Sequence, residues 1–419
     1  MTRGDLLYLA YAGCSSVLYA IACPFLHAAA LLPGETGRSL RERLGLLPNG
    51  LPRGAVWVHA ASVGEVIALG PLLREIVRRR PRIRLALSVM TPAGKRRARA
   101  LYRFPVAQAP LDSPVPVRRW LRRAAPRALI VMETELWPVW LASACARAPV
   151  AWVNGRVSDR SYPRYRLVRP LMERIMAGFR FLCVISRTDA RRATFLGASP
   201  SRIRVTGNLK VDSLRRAAPP RGMPRGRWIV AGSTRPGEEK ILLEAFGLVR
   251  RRHPRACLVL APRHPRRAGK VVLLAKAFGF EVVRRSEIPA RGLMAGEADV
   301  LVLDTLGELG AFYRLGAVAF VGGTLVPVGG HNILEPAQAG LPVTFGPRIA
   351  NVREHAAGLR RCGGGFSASS ARALASKWSA LLASARFARR AGGRARAFVR
   401  SRQGVARRVV GLLIGEGIL

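Results

Sequence analysis

From residue 55 onward, short apolar runs alternate with longer amphipathic segments. After one break, the same alternation starts again. The first series is VWVHA (56–60), RLALSV (84–89), ALIVME (128–133), PVAWVN (149–154) and RFLCVIS (180–186). The second is RWIVAGS (227–233), ACLVLAP (256–262), EVVRR (281–285), DVLVLD (299–304), AVAFVGG (317–323) and PVTFGP (342–347). Runs this short and this continuously apolar read as strands buried on both faces. Helical spacing fills the gaps, at 66–79, 93–102, 138–147, 166–178 and 188–196, then at 236–251, 265–278, 307–315 and 333–339. Strand–helix alternation dictates βαβ units and parallel sheets. The expected fold class is therefore α/β, with two doubly wound, Rossmann-like domains over 36–212 and 228–419. The second includes C-terminal helices, because the arginine-rich chain from 370 onward keeps helical spacing. Residues 213–227, SLRRAAPPRGMPRGR, carry no period and read as the linker. Ligands of such sheets bind beyond the carboxyl ends of the strands, so a cleft between two halves would present two substrates to each other.

A different segment precedes this body. Residues 6–32, LLYLAYAGCSSVLYAIACPFLHAAALL, contain no Asp, Glu, Lys or Arg. At about 1.5 Å per residue, a helix of that length covers a ~30 Å hydrocarbon core. Residues 1–35 are expected to be a membrane anchor, either spanning the bilayer or lying in its interface, with Pro24 as a kink point. Arg38, Arg41 and Arg43 follow at once, and the positive-inside rule leaves the body in the cytoplasm.

The chain carries 70 basic and 24 acidic residues, a formal net charge of +46. Lysine occurs only at 95, 210, 240, 270, 276 and 377, so arginine supplies nearly all of the excess. A solvated arginine surface explains much of this, and an anionic membrane surface, phosphorylated lipid or nucleic acid would exploit it. The cysteines form no CxxC pair and several sit in apolar runs, which reads as reduced core residues. The histidines are scattered, so no metal site and no cofactor are expected.

Chemistry-bearing residues cluster where strands end. In HAASVGEV (59–66), Ser62, Gly64 and Glu65 form a strand-to-helix turn. Glu65 there is either a carboxylate complementing the helix dipole or a general base aimed into the cleft. VMETELWP (131–138) places Glu133 and Glu135 at the end of an apolar strand, where alternation sends both to one side and like charge would raise one pKa. VNGRVSDRSYPRYR (153–166) interleaves Arg and Tyr, suited to phosphate or sugar. TGNLKVD (206–212) spends one of the few lysines, Lys210, just before the linker. In the second half, AGSTRPGEE (231–239) offers Ser233 and Thr234 as a helix cap facing a phosphate. APRHPRR (261–267) ends a strand with Pro262, Arg263 and His264. DTLGELGAFY (304–313) sets Leu306, Gly307 and Glu308 at another helix start. GGHNILEP (329–336) puts the N–H groups of His331, Asn332 and Ile333 at a helix start as an anion site, with Glu335 after Leu334 to accept from a ribose diol. No DxD occurs, so leaving-group charge would fall to Arg, Lys and helix ends.

Together, SVGE, METELWP, GNLKVD, APRHP, DTLGEL and FVGGTLVPVGGHNILEPA, in this order behind an apolar N-terminus, resemble the 3-deoxy-D-manno-octulosonic acid (Kdo) transferases of lipopolysaccharide synthesis. The resemblance implies a GT-B fold, CMP-Kdo as donor, a lipid A precursor (lipid IVA) as acceptor, and inverting transfer without a metal. It implies Glu65 as catalytic base and Glu133 and Lys210 as transition-state stabilisers. It also implies donor contacts at Pro262, Arg263, Leu306, Gly307, Glu308, Asn332, Ile333, Leu334 and Glu335. Ser62, Gly64, Ser233 and His331 are additional site candidates from the turns they occupy. Two rival readings are a GT-B transferase using a UDP-sugar on another membrane lipid, and a membrane-tethered nucleic-acid binder. No nucleic-acid motif supports the second, and no nucleic-acid partner is expected.

Overall fold

The computed structural model describes residues 1–214, 218–220, 222–223, 227–288, 292–293 and 296–419. Of the linker expected at 213–227, residues 215–217, 221 and 224–226 fall outside these described residues. The chain divides into two compact units, Met1–Ser213 with Gly404–Leu419, and Leu214–Gln403.

The first unit is built on seven strands: β1 (Val56–His59), β2 (Leu85–Val89), β3 (Val106–Gln108), β4 (Ala128–Met132), β5 (Val150–Gly155), β6 (Phe181–Val184) and β7 (Ile203–Val205). Their order is β3-β2-β1-β4-β5-β6-β7, all parallel. The second unit has β8 (Arg227–Thr234), β9 (Ala256–Pro262), β10 (Val282–Arg284), β11 (Val300–Val302), β12 (Val318–Val321), β13 (Val343–Phe345) and β14 (Gly365–Ser367), in the parallel order β10-β11-β9-β8-β12-β13-β14. The strand order reverses beside β1 in the first sheet and beside β8 in the second. The crevices at the ends of β1 and β4, and of β8 and β12, are therefore the topological switch points where such sheets bind ligands.

Strand alternation builds the cores. Trp57, Leu129, Val131 and Trp152 enter the core on one face of the first sheet, while Val56, Val58, Ile130 and Ala151 enter the core on the other. Trp57, Trp120 and Trp140 are fully buried and meet edge-on, with centroids 4.7 and 5.7 Å apart. Truncating any of these to Ala typically costs about 3–5 kcal/mol.

One expected boundary moves. The final helix, Val405–Gly415, belongs to the first unit, not to the second. Val405, Val409, Val410 and Leu413 pack on the helix Val63–Arg79 in the same core as residues of β1, β4 and β5, and Asp212 accepts from the N–H groups of Gly404 (2.8 Å) and Ala406 (2.7 Å). Local spacing reads a helix correctly, but which sheet it covers is a long-range fact.

The N-terminal apolar run forms one helix, Arg3–Leu31, closed at its start by a Thr2–Asp5 capping box and running through Pro24 without a break. It is long and apolar enough to cross a membrane. Tyr11 donates to Asp112 Oδ2 at 3.0 Å and Ser113 donates to the Ser15 carbonyl at 3.2 Å, fixing its first half to the unit. Val17, Leu18, Ile21 and Phe25 are 60–76% exposed, so the unit leaves that apolar face uncovered.

Candidate active site

In the first unit, the turn after β1 feeds the helix Val63–Arg79. Ser62 caps it: its Oγ accepts from the Glu65 N–H at 3.2 Å and donates to Glu65 Oε1 at 2.9 Å. The Ala61 N–H donates to Glu65 Oε2 at 2.9 Å. The Glu65 carboxyl is thus held from both oxygens in a residue only 8% exposed. Burial, and next the nearby Glu133 carboxylate, push its pKa from 4.5 up to about 7 despite those hydrogen bonds. Gly64 has ordinary helical backbone, and a Cβ there would meet only Ser62 Oγ at 3.9 Å. The turn does not require this glycine; its bareness keeps the surface beside Glu65 open.

Glu133 follows β4 with φ of +52°. That left-handed step ends the strand at Met132 and breaks the alternation expected to put Glu133 and Glu135 side by side. The two acids part. Glu133 Oε1 pairs with Lys210 Nζ at 2.6 Å and accepts from Asn154 Nδ2 at 3.4 Å. Glu135 Oε2 accepts from the Trp137 indole at 2.7 Å and lies 3.8 Å from His59 Nε2. Burial pushes the Glu135 carboxyl up, but the His59 ring and the Trp137 N–H hold it below its ordinary value. The raised carboxyl is that of Glu65, while that of Glu135 is lowered. Asn154 orders the rest: its Oδ1 accepts from the Leu209 N–H at 2.8 Å, which positions the single turn Leu209–Val211 that carries Lys210. Glu65, Glu133 and Lys210 therefore belong to one connected electrostatic site.

In the second unit, the loops after β8, β9 and β12 converge on an arginine–histidine cluster. Arg235 Nε donates to His331 Nε2 at 3.0 Å, and Arg235 Nη1 donates to His264 Nε2 at 3.3 Å. Burial, then Arg235 and Arg263, push the His331 pKa down to about 4, so this imidazole is neutral near pH 7. Beneath lies Glu238, fully buried, which accepts from four backbone N–H groups. Oε2 takes Arg235 (2.9 Å) and Gly323 (2.7 Å), and Oε1 takes Thr324 (3.0 Å) and Leu325 (2.9 Å). The neighbouring Glu239 accepts from Thr234 at 3.0 Å and Arg267 at 2.9 Å. Arg235, Glu238 and Glu239 were not among the expected site residues. The signal available was a pair of acids following STRPG in a chain poor in acids.

Several expected contacts shift. Ser233, with φ of +58°, caps no helix; the helix Glu238–Arg250 begins after Gly237. The last helix of the GGHNILEP stretch is the short Leu334–Ala339, and the His331 N–H is taken by the Gly322 carbonyl at 3.1 Å. The expected anion site at residues 331–333 thus loses its first donor. Ile333 and Leu334 are buried, so any ligand they touch must meet their backbone. Asn332 is exposed and turns its Oδ1 to the Leu334 N–H at 3.1 Å. Glu335 has no hydrogen bond or ion pair among the described residues, and burial pushes its carboxyl up. It is the one expected diol acceptor that is unoccupied by protein. Glu308 accepts from Arg285 at 3.0 Å and from Thr305, Gly307 has φ of +86°, and Leu306 is 82% exposed. Pro262 ends β9, and the Arg263 N–H donates to the Thr234 carbonyl at 3.0 Å, which leaves the exposed Arg263 side chain beside the cluster.

Solved structures share this architecture. A glycosyltransferase from Rickettsia africae matches with a TM-score of 0.59 at 11% identity, over 87% of this chain and 98% of its own. A UDP-N-acetylglucosamine 2-epimerase matches with a TM-score of 0.59 at 13% identity, over 88% of this chain and 98% of its own. At such identities they establish the fold alone, which is GT-B. The family described as 3-Deoxy-D-manno-octulosonic-acid transferase (kdotransferase) matches residues 38–213. The 3-deoxy-D-manno-octulosonic acid transferase of Haemophilus influenzae is 34% identical over 75% of this chain and 76% of its own. That of Bordetella pertussis is 34% identical over 85% and 86%, and that of Aquifex aeolicus 32% over 79% and 86%. A buried, raised carboxyl at one switch point and a cationic cluster at the other thus occur in a glycosyltransferase that belongs to the 3-deoxy-D-manno-octulosonic acid transferase family of lipopolysaccharide synthesis.

Proposed function

We propose that this chain moves Kdo from CMP-Kdo to the 6′-hydroxyl of a lipid A precursor, lipid IVA, with inversion and without a metal, on the cytoplasmic face of the inner membrane. The observation that carries this reading is Glu65: a buried carboxyl, anchored through both oxygens and raised to about 7, in the first turn beyond the central strand. A base with a pKa near the working pH combines the deprotonated form with real proton affinity, which is what general-base catalysis needs. In this reading Glu65 takes the proton from the attacking hydroxyl as its oxygen bonds to the anomeric carbon. The bond from that carbon to the phosphate oxygen breaks, and CMP leaves with the electron pair. Lys210, fixed by Glu133, supplies positive charge near the reacting centre. Donor recognition falls to the second unit, where Arg263 suits the phosphate and the unpaired Glu335 suits the ribose diol. The apolar helix Arg3–Leu31 is the anchor that brings the enzyme to an acylated acceptor.

The test offers lipid IVA and freshly made CMP-Kdo to the full-length enzyme with chelator present, alongside UDP-sugars as rival donors. A Kdo-bearing lipid with inverted anomeric configuration, formed only from CMP-Kdo, is expected. Transfer from a UDP-sugar instead, or a strict need for divalent cation, would overturn the reading.

A further inference from the structure

CMP-Kdo carries two separate anionic groups, a phosphodiester and the carboxylate of the sugar, whereas the sugar of a common UDP-sugar donor is neutral. In the second unit Arg235 follows β8 and Arg263 follows β9, and both act on the His331 ring. Resting on the donor reading proposed above, we infer that Arg235 reads the carboxylate of the transferred sugar and so sets specificity for an acidic donor.

The environment of Arg235 sets it apart from neighbouring arginines. Arg267 is ion-paired with Glu239 at 2.9 Å, and Arg285 with Glu308 at 3.0 Å, so those charges are met within the protein. Arg235 has no ion pair among the described residues. Two imidazole nitrogens, of His331 and His264, accept from its Nε and one Nη1 proton. Imidazoles of low pKa orient the guanidinium without cancelling its charge. A guanidinium has five N–H donors, so the remaining ones stay available for a planar, bidentate acceptor such as a carboxylate. The backbone is fixed as well: the Arg235 N–H donates to Glu238, the same carboxylate that holds the turn Gly323–Leu325. A cation ordered by neutral groups, half-buried at the end of β8, is arranged for an anion that arrives with a ligand.

The test measures equilibrium binding of CMP, freshly made CMP-Kdo, and a donor analogue whose sugar carboxylate is reduced to an alcohol. The proteins are full-length wild type, Arg235→Gln, Arg235→Lys and Arg263→Gln, each checked by thermal melting. Arg235→Gln is expected to weaken CMP-Kdo by about 10–100-fold, as for loss of a charge-assisted pair, while CMP and the reduced donor change by less than about 3-fold. Arg235→Lys keeps the charge without the fork and is expected to recover only part of the affinity. Arg263→Gln is expected to weaken all three ligands. Equal losses for CMP and CMP-Kdo in Arg235→Gln would make Arg235 a phosphate ligand and overturn the inference, as would no loss for either. Wild type that prefers CMP-Kdo over the reduced donor no more than Arg235→Gln does would also overturn it. Failure of wild type to bind CMP or CMP-Kdo at all would instead overturn the donor reading beneath it.

Discussion

Replacing Glu238 by Gln changes one atom and is expected to damage the second unit severely. The side chain is fully buried and each oxygen accepts two backbone N–H groups, at 2.7 to 3.0 Å. An amide keeps one acceptor oxygen. Whichever way it faces, its NH2 confronts two N–H donors, either Arg235 and Gly323 or Thr324 and Leu325. Leaving a buried donor unsatisfied costs about 1–3 kcal/mol, so two cost roughly 2–6 kcal/mol, before any donor–donor repulsion. In a domain of this size 1 kcal/mol moves the melting temperature by about 2–4 °C. The transition reported by Trp228 and Trp378, both buried in this unit, should therefore fall by at least about 4 °C. The same turn precedes His331 and supports Arg235, so CMP affinity should fall as well. A calorimetric scan and a CMP titration check both. A variant that melts within about 1 °C of wild type and binds CMP equally would refute the assignment of this carboxylate as the clamp of the glycine turn.

Glu65 has its carboxyl raised from 4.5 to about 7 in the folded chain, so folding favours its protonated form; that stability is complete below about pH 4.5 and lost as pH rises through 7. Glu65→Gln removes the loss, so the variant should gain on wild type between those pH values by on the order of 3 kcal/mol, on top of a pH-independent cost of about 1 kcal/mol for one hydrogen bond the amide cannot accept. Denaturant midpoints at pH 4.5 and 8 measure it, and a gap that does not widen with pH refutes it. Lys210→Ala leaves the Glu133 charge unmatched beside Glu65, so the acid limb of the pH–rate profile should move to higher pH, whereas Glu133→Gln should move it lower. Shifts in the same direction would contradict the coupling. Gly322→Ala would place a Cβ 2.3 Å from the Ser233 carbonyl and should abolish folding of the second unit or its CMP binding. Gly393→Ala, in helix Ala385–Arg400 with nothing within 4 Å, should instead stabilise by about 0.5–1 kcal/mol in thermal melts.

Much of the fold was legible because buried parallel strands must be continuously apolar. ACLVLAP spans the same residues as β9, and the other apolar runs match strands within a few residues. The strands that escaped, β3, β7 and β14, lie at sheet edges, and their residues VAQ, IRV and GFS make no continuous apolar run. The positions of Glu65 and of the Lys210 segment were legible as acids or lysine in places where this chain seldom spends them. What was not legible depends on distant partners. Lys210 reaches Glu133 only because Asn154, from β5, holds the Leu209 N–H. Glu133 turns away from Glu135 through one left-handed residue, which no pattern of polar and apolar residues announces. Glu238 looks like an ordinary first-turn acid until the backbone of residues 323–325 folds onto it.

In the proposed reaction Glu65 of the first unit handles the proton and the second unit holds CMP. The most direct measurement is Kdo transfer to lipid IVA and CMP affinity, taken side by side for wild type and Glu65→Gln. Transfer is predicted to fall by about 100- to 10,000-fold, the usual contribution of a general base, while CMP affinity stays within about 2-fold. Substantial residual transfer would remove Glu65 from its role. A parallel collapse of CMP affinity would show that the two tasks are not divided as proposed.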